Sequence, residues 1–349
     1  MREPPTPKRS PLVTALVAAH QAERHVGDAL TSLLVQTVDD LEVVVVDDGS
    51  TDGTSAVVER MARADARIRL VRLGENRGQA AALDVGMECA RGRYLAILDA
   101  DDEATPVRLA EQVAAFQRDP GLVLVGGAVA PWCTRHDVLG PVWRYAVDDE
   151  AIRVRTIFKS EVISGAITLD RQRAEAHRLR FDRTLRLGVD WAMSFAAMQV
   201  GRVANVGSVV MRYRIHPGQM TTGMLDDLGS DSTRIRRSVL AWMGVRPTDE
   251  EMRTHLAISP CNYWPFGSHP FFRERRASIL GDAERWLERL HGAANRTGRV
   301  PGGALRAYAD EILSKVERAL EDRHADGAQP RAYCPVAAPL ACVTAEACR

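Results

Sequence analysis

The chain lacks any apolar run approaching the roughly 20 residues a membrane span needs. Its first apolar stretch, Leu12–Ala19, is short and runs at once into polar residues. Neither a membrane span nor a secretory leader is expected, and a cytosolic location is the default expectation. No charge of either sign is in excess: Lys+Arg and Asp+Glu number 46 each, so the net charge is zero. Whole-chain attraction to nucleic acid or to an acidic membrane is therefore not indicated, which leaves room only for a local basic patch. The six cysteines, Cys89, Cys133, Cys261, Cys334, Cys342 and Cys348, contain no C-x-x-C pair, so neither a zinc site nor a dithiol redox motif is suggested. The last three crowd the final sixteen residues and read as free thiols on a loose tail. No internal repeat is visible.

What is present is an ordinary globular composition, 46% apolar and 26% charged over 349 residues. That suits one large domain with an appendage, or two modest domains. Residues 1–11 carry Pro4, Pro5, Pro7 and Pro11 and are expected to be disordered. An alternation then begins. Leu12–Ala18, Glu42–Val46, Ile68–Leu73, Tyr94–Leu98 and Leu122–Val125 read as strands. Ala22–Val35, Thr51–Ala64 and Gly78–Ala90 read as helices, as does a segment capped by Thr105 and Pro106 and running to about Gln117. This alternation implies an α/β fold whose mostly parallel sheet has helices on both faces. Further strands are expected near Val162–Leu169 and over Val203–Tyr213. From about Leu228 the chain reads as mainly helical. Leu305, Tyr308, Ile312, Leu313, Val316 and Leu320 share one helix face there, either as core or as the contact of a homodimer. The expected divisions are 12–222 for the α/β domain, 223–326 for a helical C-terminal region and 327–349 for the tail.

Parallel sheets bind ligands outside the carboxyl ends of their strands. The residues that follow the expected strands are His20 and Gln21, then Asp47, Asp48, Gly49 and Ser50, then Asp99, Asp101 and Asp102. Carboxylates therefore gather on the rim. Asp99-Ala100-Asp101-Asp102 puts three acids in four residues, which repel one another unless a cation or hydrogen bonds compensate. A hard divalent ion, Mg²⁺ or Mn²⁺, takes oxygen ligands and bridges to phosphates. An Asp-rich turn that caps a helix is the alternative. Val43–Val46 needs burial on both faces, and Asp47-Asp48-Gly49-Ser50 then emerges beside a turn. A carboxylate there can accept hydrogen bonds from a ribose or a base, while Ser50, Thr51 or Asp52 can cap the next helix. The place after the first strand reads Ala18-Ala19-His20-Gln21-Ala22-Glu23. It lacks the Gly-rich loop of a nucleotidyltransferase and the G-x-G-x-x-G of a dinucleotide enzyme.

These motifs in this order resemble the family 2 glycosyltransferases of the GT-A fold, a Rossmann-like architecture. The matching stretches are VTALVAAHQAERHVGDALTSLLVQTVDDLEVVVVDDGSTDGT, ENRGQAAALDVGMECARGRYLAILDADDEATPVRL and RLGVDWAMSFAAMQVGRVANVGSVVMRYRIHPGQMTT, within roughly residues 12–222. The resemblance implies an inverting transfer of a sugar from a nucleotide-diphosphate donor, UDP-sugar first among them, to a hydroxyl. Mn²⁺ or Mg²⁺ would sit on the diphosphate. It implies that His20 packs on the base in place of the usual tyrosine, that Asp48 contacts the base, and that Asp99 and Asp101 form the D-x-D pair. Ala18, Glu23, Arg77, Asp84 and Ala100 would complete the donor site. Asp101, Asp102 and His216 are the implied metal ligands, and Asp190 is the implied general base. Val189 stands where many relatives have a second acid, and Leu83-Asp84 replaces a frequent Arg-Asn or Leu-Asn pair. Read without the resemblance, Asp190 is a helix N-cap and His216 a structural histidine before Pro217.

Several residues rank below these. Ser164 and Gly165 fall where relatives approach the sugar or acceptor, and a tight strand position accounts for the glycine equally well. Trp132, Trp143 and Trp191 are a sugar platform or core. Arg273, Arg275 and Arg276 are a solvated turn or a peripheral contact with the inner membrane face. The acceptor, whether polysaccharide, lipid-linked glycan, peptide or small molecule, is not legible. The alternatives are a sugar-nucleotide-forming nucleotidyltransferase and a non-catalytic nucleotide-sugar binding module. No nucleic-acid partner is expected.

Overall fold

The structure is a computed structural model that describes residues 10–133, 137–216, 219, 225–259 and 269–321. The sequence expectations for the tail and for Cys261, Cys334, Cys342 and Cys348 lie outside the described residues, as do those for residues 1–9. Two compact units are present. One comprises Met1–Ala130 and Val162–Arg214, the other Pro131–Glu161 and Ile215–Arg349. Residues 131–161 group with the C-terminal helices.

The first unit opens with β1 (Val13–Ala19), α1 (Val26–Leu34), β2 (Leu41–Asp47), α2 (Thr54–Ala64), β3 (Ile68–Arg72), α3 (Gln79–Cys89) and β4 (Tyr94–Asp99). It continues with β5 (Glu103–Ala104), α4 (Arg108–Arg118), β6 (Leu122–Cys133), β8 (Thr168–Asp170), α6 (Arg171–Ala176), α7 (Val189–Met198) and β9 (Arg202–Ile215). The strand order is β3-β2-β1-β4-β8-β6-β9-β5. The first four strands are parallel, and β8 pairs antiparallel with both β4 and β6. Val43–Val46 of β2 are fully buried, as a strand covered on both faces must be. Right-handed crossovers put α1 and α2 on one face and α3 on the other. In agreement, α1 touches α2, while α3 touches β1 and β2. Helix α3 lies so close to β1 that a Cβ at Gly86 would stand 2.1 Å from Leu16 Cδ1. Strands β2 and β3 lie to one side of β1 and β4 to the other, so the order reverses between β1 and β4. The crevice at that switch point is where such sheets bind ligands.

Two local expectations are corrected. Thr105 does not cap α4, whose N-cap position is Val107. Thr105 is drawn to the sheet edge instead. Its N–H donates to the Val210 carbonyl at 3.0 Å and its hydroxyl to Val209 O at 2.9 Å. The expected strand at 162–169 is a 3₁₀ turn, Ser164–Ala166, followed by the short β8.

The second unit holds β7 (Val138–Leu139), α5 (Asp149–Thr156), α8 (Leu225–Trp242), α9 (Asp249–Ile258), α10 (Pro270–Glu274), α11 (Ile279–Thr297) and α12 (Gly302–Glu321). Thr248 and Glu251 form a reciprocal capping box at the start of α9. Gly298, at φ +63°, ends α11 in the left-handed conformation that glycine adopts without strain. Leu305, Tyr308, Ile312 and Val316 are buried, with α12 packed on α11 and α5, so most of the sequence-read stripe is core. His255 is fully buried among them. Its Nε2 lies 3.1 Å from the Ile157 carbonyl, and its Nδ1 accepts the Trp286 indole N–H at 3.0 Å. These partners fix a neutral tautomer with the proton on Nε2. Burial, with Arg236 nearby, pushes the imidazole down to about 3. Arg275 pairs with Glu250 and Asp282, and Arg276 donates to the Leu320 carbonyl, so these arginines have partners within the unit. Among the described residues no helix is long and apolar enough to cross a membrane.

Candidate active site

The candidate site is assembled at the carboxyl ends of β1, β2 and β4, where Ala18 pairs in register with Val46 on one side and Asp99 on the other. Asp48 is buried at the end of β2. Its Oδ1 accepts the Arg77 N–H at 2.7 Å and its Oδ2 the Gly78 N–H at 2.8 Å, so its carboxylate shapes the loop before α3. Gly49 makes that loop possible. Its φ is +70°, and a Cβ there would stand 2.4 Å from the Glu75 carbonyl carbon. His20 is exposed. Its Nδ1 lies 2.8 Å from Asp48 O and its Nε2 lies 2.9 Å from Asn76 Nδ2. A carbonyl accepts only, so Nδ1 carries the proton and Nε2 receives the amide N–H. Both ring nitrogens are thereby engaged.

Other members have partners within the fold or belong to its core. Glu23 accepts the Gly53 N–H at 3.0 Å and so serves the start of α2, where Gly53 and not Ser50, Thr51 or Asp52 is the N-cap. The Arg77 side chain is half exposed and pairs with Glu75 at 3.2 Å. Asp84 is buried within α3 and faces two arginines, Arg183 at 2.6 Å and Arg180 at 3.7 Å. Trp191 is core.

The acid cluster sits where β4 ends. Asp99 is half-buried, and Oδ1 accepts the Gln79 amide N–H at 2.9 Å. Burial, and then repulsion from Asp101 and Asp190, push Asp99 up to about 7. Asp102 is buried. Its Oδ1 accepts the Arg214 backbone N–H at 2.8 Å, while Oδ2 has no hydrogen-bond partner among the described residues. Burial together with repulsion from Asp101 and Asp99 pushes Asp102 well above the usual carboxylate range. Ala100 is buried between the acids. Asp190 lies in the first turn of α7, but the N-cap is Gly188 at φ +72°. The Asp190 Oδ1 accepts the Trp191 N–H at 2.8 Å. Gly165 closes against Asp99. A Cβ there would stand 3.1 Å from Asp99 Oδ2 and 2.8 Å from Met211 Sδ. His216 belongs to the second unit, where its N–H donates to Gln219 Oε1 at 3.0 Å.

Two buried arginines escaped the sequence reading. Arg108 of α4 is fully buried. It donates to the carbonyls of Gly165 (2.6 Å), Ile97 (2.6 Å) and Ile167 (3.3 Å) and to Gln112 Oε1 (3.1 Å). Burial pulls it down to about 10, while Asp99 and Asp102 hold it up. It is an internal cation beneath the acids, and it ties the Ser164–Ala166 turn to β4. Arg214 donates from Nε to the Asp101 carbonyl at 2.7 Å and pairs with Glu103 at 2.9 Å, which fixes the turn that follows the acids. The available signal was Arg108 and Gln112, a polar pair four residues apart within the otherwise apolar Leu109, Val113 and Phe116 stretch of α4.

Comparison with known proteins agrees with this architecture. The sequence model of glycosyl transferase family 2 matches residues 14–176. The chain is 30% identical over 337 residues to the succinoglycan biosynthesis protein ExoO of Rhizobium meliloti strain 1021, covering 90% of this chain and 89% of that one. It is 27% identical over 314 residues to the putative glycosyltransferase EpsH of Bacillus subtilis strain 168, covering 85% and 90%. In structure it is similar to S. aureus TarS 1-349, crystallised in complex with UDP-GlcNAc. The TM-score is 0.58 at 17% identity, covering 88% of this chain and 91% of that one. A βαβ sheet with acids at its switch point, together with this sequence match along nearly the whole chain, shows that the protein belongs to glycosyl transferase family 2 and is a glycosyltransferase of the GT-A fold.

Proposed function

We propose that the protein is an inverting glycosyltransferase that moves a sugar from a nucleotide diphosphate, UDP in the first instance, to an acceptor hydroxyl. The observation that carries this reading is the run of Asp99, Asp101 and Asp102 at the carboxyl end of β4, beside the switch point of the sheet. The His20 ring face, bounded by Asp48 and Asn76, receives the base. Asp99 takes the ribose, with Ala18 and Ala100 flanking it. Asp190 accepts the hydroxyl proton as the acceptor oxygen bonds to the anomeric carbon and the bond from that carbon to the diphosphate oxygen breaks. One base opposite the leaving group gives inversion. Asp190 lies in the first turn of α7, near the positive end of the helix.

The residues fit a divalent ion. All the donors are hard oxygens, and the buried Asp102 Oδ2 lacks a hydrogen-bond partner among the described residues. No three acid, His or Cys side chains converge into a metal cage among the described residues. That suits an ion held by one or two carboxylates and completed by diphosphate oxygens. Asp101 and Asp102 would hold it. When bound, Mn²⁺ or Mg²⁺ supplies Lewis-acid stabilisation of the departing diphosphate. The acceptor is a glycan, peptide or small molecule met in the cytosol or at the inner membrane face. A homodimer through the C-terminal helices would have to use their charged faces, since the apolar ones are core.

A thermal-shift panel of UDP-, GDP-, dTDP- and CDP-sugars, with Mn²⁺ or with EDTA, tests this. The expected outcome is stabilisation by UDP-sugars that needs Mn²⁺ and disappears in Asp101→Asn. Stabilisation by none of them, with no hydrolysis of any, would favour a binding module that has lost the donor chemistry.

A further inference from the structure

Asp84 matches a donor-contact position by resemblance, but its carboxylate is committed elsewhere. It is 4% exposed on α3. Oδ2 accepts from Arg183 Nε at 2.8 Å and lies 2.6 Å from Arg183 Nη2, while Oδ1 faces Arg180 Nε at 3.7 Å. Both arginines belong to the segment 177–188 that links α6 to α7. That segment is seated by Leu179, Phe181, Leu185 and Leu187, all buried, and it delivers the chain through Gly188 to Asp190. Its turn is closed internally by Asp182, which accepts from the Thr184 N–H at 2.9 Å and from the Thr184 hydroxyl at 2.5 Å.

Helix α3 is the other half of the arrangement. Its first residue, Gln79, holds Asp99 at 2.9 Å. The same helix therefore fixes the donor-side acid at its start and, through Asp84, the segment leading to the base-side acid. Apolar side chains set how deeply the 177–188 segment sits. A paired carboxylate and guanidinium also set direction, because the planar guanidinium fork admits few geometries.

We propose that Asp84 is a positioning residue, which with Arg183 fixes the segment that carries Asp190 relative to Asp99, and that it is not a donor ligand. The proposal rests on Asp190 being the base. Misplacing a reacting group by about 1 Å costs on the order of a hundredfold in rate, so kcat should suffer and donor binding should not.

The test uses the full-length protein and its variants Asp84→Asn, Arg183→Gln, Arg183→Lys, Asp84→Asn/Arg183→Gln and Asp190→Asn. UDP binding is titrated in Mn²⁺. Turnover to water is measured on whichever of UDP-glucose, UDP-galactose, UDP-GlcNAc and GDP-mannose the parent hydrolyses fastest. In Asp84→Asn the UDP Kd is expected to stay within about twofold of the parent while kcat falls at least tenfold. Arg183→Lys should recover part of what Arg183→Gln loses, and the double variant should be no worse than the poorer single one. Should Asp84→Asn not fold, the half-exposed Arg183 pair carries the same comparison. Parental kcat in Asp84→Asn or Arg183→Gln, with Asp190→Asn inactive, overturns the clamp and leaves the base standing. A UDP Kd that weakens in step with kcat/KM overturns it in favour of donor contact. Parental turnover in Asp190→Asn, or a parent that hydrolyses none of the four donors, overturns the underlying reading and the proposal with it.

Discussion

Replacing Arg108 with methionine keeps the long apolar stem and removes the guanidinium from beneath the acid cluster. Four acceptors lose a donor, but not equally. Ile167 O also receives the Ile97 N–H at 2.8 Å, and Gln112 Oε1 also receives the Thr168 hydroxyl at 2.7 Å. The loss falls on the carbonyls of Gly165 and Ile97. A buried carbonyl left without a donor costs about 1–3 kcal/mol, so the pair predicts about 2–6 kcal/mol. Relief from burying a charge offsets part of this, as the depressed basicity of Arg108 indicates. A net loss of about 2–4 kcal/mol is expected, a large fraction of the roughly 5–15 kcal/mol that holds a domain folded. Urea unfolding followed by circular dichroism measures it, with the first transition analysed separately because the chain has two compact units. UDP affinity should fall as well, since the Ser164–Ala166 turn would no longer be tied to β4 beside Asp99. A midpoint indistinguishable from the parent, with unchanged UDP affinity, would refute the view that Arg108 holds the site together.

The buried His255 makes stability pH-dependent in a definite direction. Its folded pKa, about 3, lies below the unfolded value of about 6.5, so the unfolded chain binds more protons between them. Stability is therefore complete above the unfolded pKa and is lost as pH falls toward the folded one. The urea midpoint of the parent should fall more steeply than that of His255→Gln between those values, and parallel curves would contradict the assignment. Gly49→Ala should destabilise by about 2–4 kcal/mol, from left-handed strain and a clash with backbone. It should also raise amide exchange at 75–78, and an unchanged Tm would count against the close approach.

Much of the β1–β4 core was readable because Val43–Val46 and Tyr94–Leu98 are runs that only a sheet covered on both faces can bury. The acids that follow those runs had to reach the rim. The rest depended on partners that periodicity does not name. Thr105 carries a good capping signal, but the sheet edge at Val209 and Val210 competes for the same groups. Asp84 on a helix is exposed or buried according to whether an arginine from 99 residues away arrives, and here Arg183 does. Arg108 looks like an ordinary basic residue at a helix start until the Gly165 and Ile97 carbonyls are brought to it. Pro131–Glu161 groups with the C-terminal helices because Phe158 stacks on His255 and meets the edge of Tyr308, contacts separated by about 100 residues or more in sequence.

The most direct test of the central claim is the rate of sugar transfer from bound donor in Asp190→Asn, measured beside its UDP affinity in Mn²⁺. The account predicts UDP binding within about twofold of the parent and a rate reduced by about 10²–10⁴, the usual contribution of a general base. Transfer at the parental rate would contradict it.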